Sequence, residues 1–162
     1  MSDQVEITAA IVTTSDSRSL DDDLSGRKLK ELLEAYGAAI ASHIVVPDDL
    51  DAIRDELISL TQRPDVNLVL TTGGTGLGPR DNTPEATLAA VDREVPGIAE
   101  AMRRETVAKT PFAILSRGVA GTRKGTLIIN LPGSPKGVEE CFEVIAPILA
   151  HAVRMTSGDT KH

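Results

Sequence analysis

Aromatic residues are nearly missing from this chain. Tyr36, Phe112 and Phe142 amount to 2% of it, and tryptophan is absent. Proteins that hold single-stranded nucleic acid stack its bases on aromatic side chains, and three scattered rings make no such platform. The core must therefore be built from Leu, Ile, Val and Ala. Cysteine is almost absent too. Cys141 stands alone, so no internal disulfide can form. Its place on an apolar helical stripe reads as a buried, inert thiol. Positive charge is scarce: 17 Lys and Arg against 24 Asp and Glu leave a net charge of −7. That argues against general attraction to nucleic acid or an anionic membrane. No apolar run approaches a membrane span, and no basic-then-apolar leader opens the chain, so a cytoplasmic protein is expected. His43, His151 and His162 are isolated, and no His/Cys cluster exists to hold zinc. No Gly-x-Ser-x-Gly frame surrounds a serine. The acidic run Asp21-Asp22-Asp23 has no other ligand type near it and reads as a solvated loop.

What is present suffices for one domain over residues 1–162, with a polar tail from about Ser157. The 41% hydrophobic content supports a globular core. Val5 to Thr14, Ala38 to Val46, Asn67 to Thr72, Phe112 to Ser116 and Thr126 to Asn130 read as strands. Helices are expected from about Ser25 to Tyr36, after Asp49, from Pro84 to Val91, from Pro96 to Val107 and after Pro135. The first carries Leu29, Leu32, Leu33 and Tyr36 on one face and ends at Gly37. The second carries Leu50, Ile53, Leu57 and Leu60. The last carries Val138, Cys141, Phe142, Ile145, Ile148, Leu149 and Ala152, with a bend expected at Pro147. Strands alternating with helices predict a three-layer α/β/α domain with a largely parallel central sheet. The loops from Ser15, Pro47, Gly73 and Leu131 all follow strands. In a parallel sheet they meet on the carboxyl edge, where ligands bind.

One of these loops is unusual. Leu70-Thr71-Thr72-Gly73-Gly74-Thr75-Gly76-Leu77-Gly78-Pro79-Arg80-Asp81 carries four glycines, a guanidinium and a carboxylate, and Asn82-Thr83-Pro84-Glu85 then opens a helix. Thr83 reads as the helix cap, with Pro84 and Glu85 in the first turn. Glycines allow positive φ and close approach of backbone to a ligand. Successive N–H groups in such a turn, with a helix N-terminus beside them, form an anion site. A Cβ at Gly74 or Gly76 is therefore expected to intrude on a bound phosphate. The loop is neither a dinucleotide fingerprint nor a P-loop: Pro79 replaces the third glycine of the one, and Pro79-Arg80 replaces the Lys-Ser/Thr of the other.

Asp48 and Asp81 follow separate strands near this loop. Asp48 either caps the next helix or faces the ligand; Asp81 either closes an Asx-turn or does the same. Together they suit Mg²⁺, which takes one or two protein carboxylates and completes its shell with phosphate oxygens and water. Arg80, Arg117, Lys124 and Lys136 are candidate phosphate contacts, with a solvated surface as the alternative for Arg117 and Lys124. Pro132-Gly133-Ser134 leads into the last helix and, with Lys136, offers a second anion site. Asn130, at a strand end, offers a donor and an acceptor suited to a heterocycle edge.

These motifs resemble one family. Thr71-Thr72-Gly73-Gly74-Thr75-Gly76, Pro79-Arg80-Asp81-Asn82-Thr83-Pro84-Glu85-Ala86-Thr87, Asp92-Arg93-Glu94-Val95-Pro96-Gly97 and Asn130-Leu131-Pro132-Gly133-Ser134-Pro135-Lys136 look like the molybdopterin adenylyltransferases of molybdenum cofactor biosynthesis. The likeness runs from about Val5 to Val153. It implies a molybdopterin-binding fold and a reaction in which molybdopterin and ATP give adenylylated molybdopterin and pyrophosphate with Mg²⁺. It implies Asp48 and Asp81 as catalytic acids and metal ligands. Pterin contacts are implied for the glycine loop with Thr72, Gly73, Gly74, Thr75 and Gly76, for Ser116, for Ser134 after Pro132-Gly133, and for Ser15 and Asp16 in the first loop, beside the candidate contacts Asn130 and Lys136 read from their own chemistry. It further implies a homotrimer and a downstream molybdate-insertion protein as partner. A non-catalytic molybdopterin-binding paralogue and a scaffold protein are the alternatives. Retention of both acids argues against each, and the chain is expected to be too short to carry an attached insertion domain.

Overall fold

A computed structural model describes residues 5–159. Its centre is a six-stranded sheet in the order β2-β1-β3-β6-β5-β4. β1 (Thr8–Thr14), β2 (Ala39–Val46), β3 (Leu68–Thr72) and β6 (Thr126–Leu131) run parallel. β5 (Ala120–Arg123) and the two-residue β4 (Arg93–Glu94) extend one edge antiparallel. α1 (Leu24–Tyr36), α4 (Pro96–Thr106) and α5 (Pro135–Thr156) cover one face; α2 (Leu50–Thr61) and α3 (Thr83–Ala90) cover the other. The expected three-layer α/β/α architecture with a largely parallel sheet is what forms.

The strands separate two cores by their period of two. Ala9 and Ile11 of β1, Leu68 and Leu70 of β3, and Leu127, Ile129 and Leu131 of β6 face α1, α4 and α5. Ala10, Val12, Val69 and Ile128 face α2 and α3. Both faces of these strands are dry, which is why they read as unbroken apolar runs rather than alternating ones. Gly37 ends α1 at φ 102°, in the left-handed conformation expected of it. In α5 the buried stripe is Val138, Cys141, Phe142, Ile145, Leu149 and Val153. Ile148 is instead exposed and Ala152 only partly buried, because Val153 takes the inward position. The helix continues through Pro147. Gly158 then closes it at φ 91°, its N–H donating to the Met155 carbonyl. Residues 160–162, including His162 and the end of the polar tail, lie outside the described residues. Among the described residues no helix is long and apolar enough to cross a membrane.

Three local expectations are corrected. Phe112 to Ser116 is not a strand: Pro111–Leu115 forms a 3-10 helix whose first turn is capped by Thr110 Oγ1, accepting from the Phe112 N–H. Its apolar residues lie on the surface, with Phe112 73% and Ile114 67% exposed. The stretch between Ser116 and Thr126, to which the sequence assigns no strand, contains β5. β5 and β6 join through a two-residue turn at Lys124 (φ 46°) and Gly125 (φ 82°). Positive φ at both positions suits the twist of a hairpin.

The third correction concerns Asp23, which is not solvated. It is fully buried at the N-cap of α1, where its Oδ1 accepts from the Gly26 N–H at 3.0 Å. Its Oδ2 accepts from Thr13 Oγ1 at 2.5 Å and meets His43 Nε2 at 2.9 Å. A Cβ on Gly26 would stand 2.1 Å from that oxygen, so the glycine makes room for the cluster. Burial pushes the Asp23 carboxyl up, but the Thr13, Gly26 and His43 contacts together outweigh it and hold it below the ordinary range. The mid-strand His43 is thereby accounted for as a packed partner.

Candidate functional site

The four parallel strands deliver the loops after β1, β2, β3 and β6 to one edge, as expected. β1 and β3 are neighbours, and β1 leads through α1 to β2 on its other side. The crevice of such a sheet lies where the order reverses, and the glycine loop occupies it. Gly73 and Gly74 stand at φ 95° and 67°. A Cβ at Gly73 would lie 2.6 Å from the Thr14 carbonyl oxygen, and one at Gly74 would lie 2.3 Å from Thr83 Oγ1. These two glycines are required by the protein's own packing. Thr83 Oγ1 donates to the Gly73 carbonyl at 3.0 Å and lies 3.1 Å from Thr14 Oγ1. Thr83 is therefore the first residue of α3, not its cap; Asn82 takes the cap position.

The Gly73 and Gly78 N–H groups are taken by the Leu131 carbonyl and the Asp81 carboxylate, but three donors between them are not. Among the described residues, the N–H groups of Gly74, Thr75 and Gly76 meet no hydrogen-bond acceptor, so the row remains open to an anion. The start of α3 contributes little to it. The Thr83 N–H donates to the Gly74 carbonyl, and Pro84 has no N–H.

Asp81 sits inside the second half of the loop. Its N–H donates to the Gly78 carbonyl at 3.0 Å and its Oδ2 accepts from the Gly78 N–H at 2.9 Å. A Cβ on Gly76 or Gly78 would lie 2.9 Å from that oxygen, so both glycines clear space for the carboxylate. Asp48 does not cap α2; Asp49 does, accepting from the Ala52 N–H. Asp48 instead pairs with Asp16 reciprocally: each carboxylate accepts from the other's backbone N–H at 3.0 Å. Arg80 binds Asp16 with two bonds of 3.0 Å, and Asn82 Nδ2 donates to the Asp48 carbonyl at 3.3 Å. The Arg80 bonds hold the Asp16 carboxyl below the ordinary range. Burial first, then the charges of Asp16 and, more weakly, Asp81, push the Asp48 carboxyl up.

Asp48 and Asp81 are the carboxylates that could serve Mg²⁺: Asp16 is engaged by Arg80, and the Asp48 carboxyl, raised by burial and then by the charges of Asp16 and Asp81, would be favoured in its ionised form by a cation. Among the described residues no group of three His, Cys, Asp or Glu is arranged for a metal. Two carboxylates would thus hold the ion while substrate oxygens and water fill its shell.

On the other side of the glycine loop lies a cavity of about 480 Å³. Thr75, Gly76, Leu77, Ser116, Asn130, Pro132 and Ser134 line it with residues of α4, the 3-10 helix and α5.

A family described as "Probable molybdopterin binding domain" matches residues 10–151. This chain belongs to that family. It is 39% identical over 153 residues to the molybdopterin adenylyltransferase of Helicobacter pylori, covering 92% of this chain and 87% of that protein. It is 40% identical to the molybdenum cofactor synthesis protein cinnamon of Drosophila melanogaster, spanning 94% of its own length but only 26% of that relative. The molybdopterin biosynthesis enzyme MoaB of Thermus thermophilus superposes with a TM-score of 0.86 at 45% identity, over 94% of this chain and 97% of that one.

In this molybdopterin-binding domain the cavity takes in some of the sequence-predicted residues and leaves others outside. Thr75, Gly76, Ser116, Asn130, Pro132 and Ser134 line the cavity; Ser15, Asp16, Asp48 and Asp81 lie outside its lining. Thr72, Gly73, Gly74 and Gly133 do not line it either. Thr72 Oγ1 donates to the Pro132 carbonyl, and a Cβ on Gly133 would lie 3.3 Å from the Gly73 Cα. Ser15 Oγ accepts from the N–H groups of Ser17 and Arg18, shaping the first loop. Ser134 caps α5, accepting from Gly137, and Lys136 stands exposed in the first turn. Asn130 lines the cavity, but its side chain is buried and engaged, with Nδ2 donating to Thr71 and Thr87 and Oδ1 accepting from the Val119 N–H. It ties β3, α3 and the approach to β5 together rather than offering a free heterocycle edge. Lys124 serves the hairpin turn, remote from the site, and Arg117 holds the loop itself. Sequence reading missed Arg103, whose Nη1 donates to the carbonyls of Ser116 and Gly118 and fixes the cavity wall.

Proposed function

We propose that this protein transfers the adenylyl group of ATP to molybdopterin and releases pyrophosphate. An acceptor oxygen of molybdopterin attacks the α-phosphorus, the new P–O bond forms, and the bond to the β-phosphate oxygen breaks. The glycine loop supports the reading: the N–H groups of Gly74, Thr75 and Gly76 meet no acceptor among the described residues, Asp81 is bonded to the Gly78 N–H of the same loop, and Asp48 follows β2 on the same sheet edge. The relatives named adenylyltransferase support it. The N–H row receives phosphate oxygens. The cavity beyond Thr75 and Gly76 receives the pterin, with Ser116 and Ser134 at its rim. Asp48 and Asp81 would hold Mg²⁺, which when bound would offset charge on the departing pyrophosphate. Arg80 keeps Asp16 against Asp48 and thereby fixes the loop that presents it. A cytoplasmic homotrimer feeding a molybdate-insertion protein is the assembly and partner proposed with this activity.

The test is pyrophosphate release from molybdopterin, ATP and Mg²⁺ by purified protein. Asp81→Asn and Asp48→Asn should each lower single-turnover rates by roughly tenfold or more, about 1.4 kcal/mol of transition-state stabilisation, with little change in pterin affinity. No release under any divalent metal, with pterin bound, would return the chain to a non-catalytic binding role.

A further inference from the structure

Arg117 is a cation beside a proposed phosphate loop, yet its guanidinium is turned to the loop's own backbone. Nε donates to the Gly76 carbonyl at 2.8 Å and Nη2 to the Asp81 carbonyl at 2.7 Å. Nη1 donates to Glu85 Oε1, one turn into α3. The Arg117 N–H also donates to the Thr75 carbonyl at 2.9 Å. One residue therefore grips the loop at Thr75, Gly76 and Asp81 and ties it to the following helix. Its backbone cannot drift, because Arg103 Nη1 holds the carbonyls on either side, Ser116 at 3.2 Å and Gly118 at 2.9 Å. The Arg117 bond pulls the Glu85 carboxyl below the ordinary range, in keeping with a persistent ion pair.

We propose that Arg117 is the positioning residue of this site: it sets the Asp81 carboxylate and the unpaired N–H row of the glycine loop, and it does not contact substrate phosphate. The inference rests on the adenylyltransfer reading for its kinetic consequence but not for its structural one. Two carbonyls and a carboxylate are met by a planar fork of donors, a geometry that one ammonium cannot reproduce. Lysine at this position keeps the charge and loses the grip. Misplacing a reacting group by about 1 Å can cost about a hundredfold in rate, so the effect should fall on turnover.

The experiment compares Arg117→Lys, Arg117→Ala and Glu85→Gln in the full chain, with melting curves to show that each is folded. Turnover of Arg117→Lys should fall about tenfold or more, with the KM for ATP within about twofold, as expected when only transition-state interactions are lost. Added guanidinium ion at millimolar concentration should restore part of the Arg117→Ala activity. Glu85→Gln, which weakens the clamp without opening it, should show a smaller loss of the same kind. Amide hydrogen exchange over residues 76–81 should quicken in Arg117→Ala and less in Glu85→Gln. That measurement needs no substrate, so a wild-type protein that fails to adenylylate molybdopterin leaves it decisive. Normal turnover in Arg117→Lys, a raised ATP KM with unchanged turnover, or unaltered exchange of the loop amides in a folded Arg117→Ala would each overturn the assignment.

Discussion

Replacing Gly74 by alanine should break the fold locally before it disturbs a ligand. The added Cβ would lie 2.3 Å from Thr83 Oγ1 and 2.8 Å from Thr14 Oγ1. Both hydroxyls are buried, and Thr83 is held by the Gly73 carbonyl, so neither can swing away without losing a bond. Overpacking of this kind costs about 1–3 kcal/mol. The φ of 67° adds about 1–2 kcal/mol for an L-residue in the left-handed region. The sum is about 2–5 kcal/mol, a drop in Tm of about 10 °C for a chain of this length. Gly76→Ala is the control. There the Cβ would lie 2.9 Å from Asp81 Oδ2, the end of a half-buried side chain that can give way. Stability should change by no more than about 0.5–1 kcal/mol, while turnover falls about tenfold as the carboxylate leaves its place against the Gly78 N–H. Calorimetric melting and single-turnover kinetics on the two variants provide the assay. A Gly74→Ala protein melting within about 2 °C of the parent would refute the packing argument. It would return the second glycine to the ligand-facing role that the sequence suggests.

Further outcomes follow from the buried and paired carboxylates. Asp48 must be ionised to hold a cation, and its carboxyl is pushed up by burial and by Asp16. The rate should therefore decline on acidification from above the ordinary aspartate range, and Asp16→Asn should move that limb to lower pH in a pH–rate profile at limiting Mg²⁺. Raising Mg²⁺ should shift the limb the same way, since the ion competes with the proton. Asp23→Ala removes a fully buried cap and the partner of Thr13 and His43, and should cost about 3–5 kcal/mol by chemical denaturation. Because the folded Asp23 carboxyl lies below its unfolded value, its stabilisation is present above the ordinary aspartate pKa. It is lost as pH falls through the folded pKa, so the variant should show a flatter acid limb of stability.

Much of the fold was legible because its signals are local. β1, β3 and β6 are buried on both faces, so their sequences are apolar without a break. Gly37 and the Pro47-Asp48-Asp49 stop fall where the helix and strand end. β5 escaped notice because Ala120-Gly121-Thr122-Arg123 has no apolar bulk at the sheet edge. The signal lay in Lys124-Gly125, a pair that can take positive φ twice. Phe112 to Leu115 shows the opposite error. Its hydrophobicity suggests a strand, but Thr110-Pro111 is the same polar-then-proline opening that announces α3 at Asn82-Thr83-Pro84.

The site divides along a similar line. The glycine loop and both aspartates are visible in one dimension; their pairings are not. Asp23 differs from its two acidic neighbours only in standing three residues before Gly26, at capping distance, and its bond to His43 joins residues 20 apart. Arg117 carries the more general lesson. Buried or half-buried loop carbonyls need donors. Thr83 meets those of Gly73 and Gly74 and the Arg117 N–H that of Thr75; the Gly76 and Asp81 carbonyls are left, and a guanidinium has several donors and no acceptor with which to meet them. A cation near a glycine-rich loop is therefore first a candidate for the loop's own backbone. Only donors left over after that account are available to a phosphate, and here the open ones belong to Gly74, Thr75 and Gly76.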